Sequence, residues 1–224
     1  MANTNNSSTG NWRTNINKII LLDNGAFEIK HSRANYATQN KKFQNCKFFE
    51  KTGGNQTDAS FFLNDIHTDI SLESLSNIGK NFCRPLSRGL LHDCDLQCEI
   101  WEKILKENYK ISEDSAKENL LVFTHTPLSP DDVLEGFLQI IFEYFDFDAA
   151  IKSIPHVFSA IAAKKLYPER INESVQLVVD SGFSSTTIVP IFDNFPVYNA
   201  VKRLDIGGKL LTNYLKESVI FLFI

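Results

Sequence analysis

The chain has 224 residues, of which 43% are apolar and 22% charged, and this composition predicts a globular protein with a sizeable core. The formal net charge of −4 is unevenly spread, since residues 1–60 hold eight basic and four acidic side chains and the remainder fifteen and twenty-three. We expect the basic N-terminal region to be solvated, with contact to an acidic partner such as DNA as the alternative.

The sequence carries no pattern typical of a secreted or membrane protein. Residues 1–17 are polar and rich in Asn, which predicts a disordered tail rather than a signal peptide. No apolar run is long enough to span a bilayer. The four cysteines show neither a disulfide framework nor the spacing of a zinc finger. We therefore expect a soluble intracellular chain with reduced thiols, no bound metal and no membrane contact.

The first predicted element is a β-hairpin over residues 18–33. The stretch KIILLDNGAFEIK gives an apolar strand, a turn at Asn24-Gly25 and a return strand. Residues 34–80 are weakly patterned and rich in Asn and Ser, so they predict an inserted subdomain of loops and short elements.

The middle of the chain predicts helices and a buried strand. Apolar residues on one face predict a helix over Asp95–Asn108, and NLLVFT predicts a strand over Asn119–Thr124. A second helix should begin with Ser129 as N-cap and Pro130 as its first residue, and run to Phe145.

The last third predicts another mixture of strands and helices. The pattern predicts a helix over His156–Tyr167, strands over Val175–Asp180, Thr186–Phe192 and Val197–Leu204, and a last helix opened by Gly207-Gly208. Strands that alternate with helices predict an α/β domain with a mixed sheet.

Two apolar strands end in an acid, at Asp23 and Asp180, and each acid is followed by a small polar residue and a glycine. Ligands of open α/β sheets gather beyond the carboxyl ends of the strands. A glycine turn there exposes N–H groups that hold phosphate oxygens, and an Asp beside it holds Mg²⁺ through waters. Two such hairpins would clamp a polyphosphate, although D-N-G and D-S-G are also good turns in their own right.

The two hairpins resemble the phosphate-binding hairpins of the actin family. The stretches FTHTPLSPDDVLEGFLQIIFEYF, VVDSGFSSTTIVPIF and RLDIGGKLLTNYLKE support the resemblance, and within the family they are similar to the actin-related protein 6 subfamily. The likeness covers Ile19–Glu217, weakly over residues 34–80. It implies an actin-like (ribonuclease H-like) fold, with a mixed sheet flanked by helices, as the first of two similar halves around a nucleotide cleft. An unrelated α/β binding domain is a further alternative.

The resemblance also implies a function. Proteins of this subfamily are expected to be non-catalytic subunits of a SWR-type chromatin remodeller, which installs a histone variant in nucleosomes. There they work alongside a zinc-finger HIT-type subunit and the remodelling ATPase, with only indirect contact to the nucleosome. The resemblance implies a nuclear location, shared with the cytoplasm as an alternative. The alternative function is that of an actin-type cytoskeletal protein that binds and hydrolyses ATP.

The hairpins depart from those of conventional actins. The first reads D-N-G-A-F-E-I-K, so Ala26 lacks the family's hydroxyl and Phe27 replaces a glycine. In the second, Phe183 replaces an acid and Ser184 a glycine. We expect no catalytic residues, because phosphoryl transfer depends on positioning and charge placement.

Two further positions favour a non-catalytic protein. Thr187 stands where actins carry a histidine near the attacking water, and Pro155 or its neighbour stands where they carry a catalytic glutamine. ATP remains an expected structural ligand of a full-length protein. The residues that the resemblance assigns to its phosphates are Asp23, Gly25, Lys30, Asp180 and Gly182.

The family pattern fades after Glu217, and residues 218–224 form an apolar tail. Three segments are therefore expected, namely a disordered tail over 1–17, an actin-like N-terminal half over 18–217, and the tail over 218–224. We interpret the chain as a truncated product or a faulty gene model, with a natural half-length protein as the alternative. Half an actin fold would expose apolar surface and aggregate.

Overall fold

A computed structural model describes residues 15–36, 41–50, 59–62, 82–111, 113–169 and 174–222. Most of the predicted disordered tail and of the predicted subdomain over residues 34–80 lies outside these ranges.

The described residues fold into strands and helices that are numbered here in chain order. The strands are β1 (Ile19–Asn24), β2 (Glu28–Arg33), β3 (Lys41–Gln44), β4 (Lys47–Glu50), β5 (Ala59–Phe61), β6 (Phe82–Cys83), β7 (Leu86–Ser87), β8 (Leu90–Leu91), β9 (Leu120–Thr124), β10 (Ala149–Ser153), β11 (Val175–Ser181), β12 (Thr186–Phe192), β13 (Phe195–Pro196) and β14 (Lys202–Leu204). The α-helices are α1 (Cys94–Tyr109), α2 (Asp131–Gln139), α3 (Pro155–Leu166) and α4 (Gly208–Leu222).

The larger sheet is mixed and has the strand order β10-β9-β1-β2-β3. Strands β10, β9 and β1 run parallel, whereas β1 pairs with β2 and β2 with β3 in antiparallel fashion. The predicted first hairpin is confirmed, and its register sets Asp23 opposite Lys30. The α/β class with a mixed sheet and flanking helices is confirmed as well.

Helix α1 covers this sheet with an apolar face, as its periodicity predicts. The Asp93 carboxylate caps its first turn by accepting the Leu96 N–H at 2.9 Å. Trp101 is fully buried and stacks on Phe137 of α2 with ring centroids 5.8 Å apart. The core around these rings joins both helices to the sheet, and its buried members include Ile20, Leu22, Ile29, Ile100, Ile104, Leu105, Leu121, Phe123 and Ile141.

The N-terminus of α2 differs from the sequence prediction. Ser129 is not its N-cap; Pro130 holds that position with an extended backbone (φ −56°, ψ 152°) and no capping side chain. The Ser129 hydroxyl instead donates to the Thr126 carbonyl at 2.6 Å and closes the preceding turn. Because a proline favours an extended conformation in the residue before it, the serine is kept outside the helix. The predicted continuation to Phe145 is a π-helical turn over Ile140–Tyr144.

The smaller sheet has the order β11-β12-β13, with β14 also paired to β12. Helix α3 packs on β11 and β12 over a small core that contains Ile154, Val189 and Ile191. The predicted strand over Val197–Leu204 is wrong for its first half. A 3₁₀ turn occupies Tyr198–Ala200, because the N–H groups of Ala200 and Val201 bond back to carbonyls three residues earlier.

One face of this smaller sheet is apolar and uncovered by the described residues. Val175, Leu177 and Val179 alternate along β11 and are 58%, 65% and 58% exposed. Helix α4 adds exposed apolar side chains and continues as helix beyond Glu217 to Leu222. No helix in the described part of the chain is both long and apolar enough to cross a membrane.

Candidate functional site

The two acid-ended hairpins face each other across a cleft of about 640 Å³. It opens where the carboxyl ends of β1, β9 and β11 meet, which is the edge where α/β sheets bind ligands. The residues predicted from the two hairpins all line it, namely Asp23, Gly25, Lys30, Asp180 and Gly182. The volume lies in the range of small-molecule sites.

Side chains fix the acid of the first hairpin. The Thr124 hydroxyl, at the end of β9, donates to Asp23 Oδ1 at 2.6 Å and accepts the Asn24 N–H at 3.1 Å. Lys30 Nζ lies 3.6 Å from Asp23 Oδ2, and both side chains remain partly exposed to the cleft. One carboxylate oxygen and one ammonium therefore face the cleft from adjacent strands. Sequence reasoning missed Thr124, because its partner lies 101 residues away.

Asn24 is a buried hub rather than a simple turn residue. Its Oδ1 accepts the Trp101 indole N–H at 3.1 Å, and its Nδ2 donates to Gln97 Oε1 at 3.2 Å. Gln97 Nε2 in turn donates to Asn45 Oδ1 at 3.4 Å. This network ties the start of the first turn to α1, because all of these polar groups need partners once buried. A D-N-G turn gives no sequence signal for it.

Backbone contacts fix the second hairpin. The Gly182 N–H bonds to the Ser185 carbonyl at 3.0 Å within the turn. The first turn of α4 then donates to the hairpin, from the Gly208 N–H to the Gly182 carbonyl and from the Lys209 N–H to the Phe183 carbonyl, both at 2.9 Å. A Cβ on Gly207 would come within 2.6 Å of the Phe183 carbonyl oxygen, so this approach requires a glycine.

The two predicted glycines shape their turns rather than expose free donors. The N–H of Gly25 bonds to the Asp23 carbonyl at 3.0 Å, just as the N–H of Gly182 bonds within its own turn. A Cβ on Gly25 would lie 2.6 Å from the Glu28 carbonyl oxygen. The charged side chains that line this cleft are those of Lys30, Asp23, Asp180 and Glu28.

The two phenylalanines that stand where conventional actins carry a glycine and an acid meet across the cleft. The rings of Phe27 and Phe183 have centroids 5.1 Å apart and an interplanar angle of 44°. The turns of the first and second hairpins thus touch through apolar side chains. This is a contact that neither hairpin predicts by itself.

A buried histidine of α3, His156, contacts the second hairpin through Thr187. Thr187 is buried, and its Oγ1 lies 2.8 Å from His156 Nε2. Burial lowers the pKa of His156, while the nearby Asp180 carboxylate acts in the opposite direction. Pro155 lines the cleft at the first position of α3. The residues that resemblance places near the attacking water of actins are therefore a proline and a threonine bonded to a histidine.

A metal would have to be held by isolated carboxylates. The described residues contain no group of three or more His, Cys, Asp or Glu side chains arranged to bind a metal ion. Cys94 and Cys98 are free thiols one turn apart on α1, and burial raises the pKa of Cys98 to about 11. A neutral thiol is a poor metal ligand.

A comparison with protein families matches the actin family over residues 15–220. The chain belongs to the actin family. The actin family generally binds nucleotides, and the assignment of the two facing hairpins of this chain to a phosphate site stays a prediction.

Several similar proteins carry the name of one subfamily. "Actin-related protein 6" of Arabidopsis thaliana is 32% identical over 206 residues, which is 91% of this chain and 47% of that protein. "Actin-related protein 6" of Neurospora crassa is 30% identical over 88% of this chain and 44% of its own length. "Actin-like protein ARP6" of Cryptococcus neoformans is 26% identical over 91% of this chain and 39% of its own length. The chain spans about half the length of the curated relatives it matches.

Proposed function

We propose that this actin-family chain belongs to a non-catalytic actin-related subunit of a SWR-type chromatin remodeller, which supports histone-variant exchange through protein contacts. The observation that carries the proposal is the Phe27–Phe183 pair, which places two large apolar side chains in contact at the turns of two otherwise family-like hairpins. The proposed partners are a zinc-finger HIT-type subunit and the remodelling ATPase, and contact with the nucleosome is indirect. The proposed location is the nucleus.

The side chains of the cleft support the proposed absence of catalysis. Phosphoryl transfer needs an oriented water and charge placed around the transferred phosphate. Here Ala26 supplies no hydroxyl, Pro155 supplies no hydrogen-bonding side chain, and Thr187 is already bonded to His156. The alternative, an actin-type ATPase, would need these positions to carry groups that hold water and phosphate.

ATP is proposed as a structural ligand of the longer protein. The fit rests on the cleft volume and on Lys30, whose ammonium lines the cleft and suits a phosphate charge. Asp23 and Asp180 would hold a Mg²⁺ ion through waters, and Gly25 and Gly182 would keep the turns tight beside it. Such a ligand would supply negative charge between the hairpins, without turnover.

Two measurements on the full-length protein test the functional proposal. A copy tagged at its own locus should co-purify with the remodelling ATPase and the zinc-finger HIT-type subunit, whereas the tag alone should not. Purified protein should release phosphate from ATP far more slowly than conventional actin under the same conditions. Capture of cytoskeletal partners together with turnover like that of actin would contradict the proposal.

The role of ATP is tested separately by binding. Lys30→Ala should weaken binding of a fluorescent ATP analogue at least tenfold, because it removes a cation that lines the cleft. Lys42→Ala is the matched control, since Lys42 pairs with Glu28 at 3.1 Å on the neighbouring strand. Equal loss in both variants, or in neither, would argue against the predicted phosphate site.

A further inference from the structure

Arg84 lies where the two hairpins approach each other, between strands β6 and β7. Its guanidinium carbon is 5.1 Å from the ring centroid of Phe27 and 5.0 Å from that of Phe183. A third ring, Phe82, lies at 5.3 Å. Each distance is within the range of a cation–π contact, and arginine is well suited to stack on aromatic rings. We call Phe27, Arg84 and Phe183 the clasp.

Hydrogen bonds hold Arg84 to the first hairpin. Its Nη1 donates to the carbonyls of Ala26 and Asn45, both at 3.2 Å, and of Phe27 at 3.1 Å. Hydrogen bonds thus hold the guanidinium to the first turn. It contacts the second turn through the ring of Phe183. Burial lowers the pKa of Arg84, yet an arginine remains charged at neutral pH.

The clasp joins parts of the chain that belong to different sheets. Phe27 follows β1 of the larger sheet and Phe183 follows β11 of the smaller sheet. A neighbouring bond in the same region runs from the Arg203 guanidinium to the Arg88 carbonyl. The clasp therefore spans the cleft at the tips of the two turns, where a polyphosphate would otherwise bridge them by charge.

We propose that the clasp holds the two hairpins together in the absence of nucleotide, so that closure of this cleft does not depend on a bound phosphate. The aromatic rings supply the apolar contact, and Arg84 supplies a cation whose Nη1 donates to carbonyls at the first turn, while its buried Nε has no hydrogen-bond partner among the described residues. Arg84 acts as a positioning residue. The inference rests on the cleft itself and stands whether or not the protein is a remodeller subunit.

Hydrogen exchange of the full chain without nucleotide tests the clasp. Four backbone amides report on the turns, since Asn45 bonds to the Phe27 carbonyl and Gly182, Gly208 and Lys209 bond within or onto the second turn. Arg84→Met keeps much of the length of the side chain and removes both its positive charge and its N–H donors. It should speed exchange at least tenfold at both turns, including the second, to which Arg84 makes no hydrogen bond among the described residues.

Arg33→Met is the matched control. Arg33 also lies over an aromatic ring, that of Tyr109 at 5.3 Å, but outside the cleft lining. Its exchange at both turns should stay within twofold of the parent protein. Faster exchange in Arg84→Met at the first turn alone would show a local anchor and overturn the clasp.

A second variant, Phe183→Leu, tests the clasp in case Arg84→Met does not fold. Phe183→Leu leaves every Arg84 hydrogen bond in place and should still speed exchange at Asn45, across the cleft. The double variant should accelerate exchange by less than the product of the two single effects, because both changes remove the Arg84–Phe183 contact. Additive acceleration, or an Asn45 amide unaffected by Phe183→Leu, would overturn the proposal. The parent should already protect the amides at both turns without nucleotide, and amides that exchange there at the unprotected rate until Mg-ATP is added would show that closure depends on nucleotide.

Discussion

The two hairpins that face the cleft share the pattern of strand, acid and glycine, yet they are held in opposite ways. The first hairpin is held by side-chain hydrogen bonds, since Asp23 accepts one from Thr124 and Asn24 makes two, with Trp101 and Gln97. In the second, Asp180 and Ser181 are exposed, and backbone groups of α4 bond directly to the turn. A sequence motif thus specifies the shape of a turn without specifying what supports it.

The difference predicts where each hairpin tolerates change. A turn supported by side chains should suffer when a polar partner is removed, because buried groups then lose their hydrogen bonds. A turn supported by close backbone approach should suffer when a side chain is added. The predictions below set one hairpin against the other, from the largest expected effect to the smallest.

The largest effect is expected from Asn24→Leu. The change leaves the Trp101 N–H and the Gln97 amide buried without their partner, and it should cost about 3–4 kcal/mol of the free energy of unfolding. The matched change in the second hairpin, Ser181→Ala, removes an exposed hydroxyl and should cost less than about 0.5 kcal/mol. Urea unfolding measures both, and equal losses would remove the distinction between the hairpins.

A buried histidine makes the first hairpin sensitive to acid. His31 on β2 is buried with Nδ1 2.7 Å from the Tyr109 hydroxyl, and burial, aided by nearby Lys41, lowers its pKa to about 4. The unfolded chain binds a proton near pH 6.5, so the folded state loses stability as pH falls from about 6.5 to about 4. The loss should be on the order of 2–3 kcal/mol.

The variant His31→Asn isolates the contribution of His31 protonation to the free energy of unfolding. Its unfolding free energy should change less with pH between 6.5 and 4 than that of the parent, even if the variant is less stable overall. His156→Asn is the comparison for the second hairpin, because His156 of α3 contacts Thr187 of that hairpin and the nearby Asp180 carboxylate opposes the lowering of its pKa. A parent and His31→Asn with the same pH slope would contradict the assignment.

Much of the architecture could be predicted because its signals are local. The first hairpin and α1 follow from apolar spacing over fewer than twenty residues, and both are present with ends within one or two residues of those predicted. The mixed α/β fold followed from the order of such elements and from the family motifs. The five predicted cleft residues lie together because the turns that follow β1 and β11, which belong to different sheets, face each other across the cleft.

The failures have two causes. The run Val197–Leu204 is apolar enough for a strand, but a local 3₁₀ turn over Tyr198–Ala200 competes for its backbone bonds. The support of Asn24 by Trp101 and the insertion of Arg84 both join residues more than fifty positions apart. Such contacts depend on how finished elements pack, which periodicity does not contain.

The second hairpin should respond most to an added methyl group. Gly207→Ala places a Cβ 2.6 Å from both the Phe183 carbonyl oxygen and the Ser185 nitrogen, so α4 must move away from the turn. The cost should be about 1–3 kcal/mol. Gly208→Ala is the control, because its Cβ would meet its nearest atoms at 3.8 Å, and alanine in a helix should be neutral or stabilising by about 0.5 kcal/mol. Thermal unfolding distinguishes the two, and equal effects would show that α4 does not support the turn closely.

The smallest effect concerns a single hydroxyl in the first hairpin. Thr124→Val keeps the shape of the side chain but removes both the donor to Asp23 and the acceptor for the Asn24 N–H, so it should cost about 1–2 kcal/mol. Thr124→Ser restores the hydroxyl and should recover most of that loss. The same pair of variants sharpens the functional contrast, since release of Asp23 should alter the binding of a Mg-ATP analogue only in the valine variant. If the valine variant keeps the stability of the parent while the serine variant loses it, packing of the methyl group rather than the hydroxyl supports the acid, and the first hairpin would then resemble the second in relying on close contact.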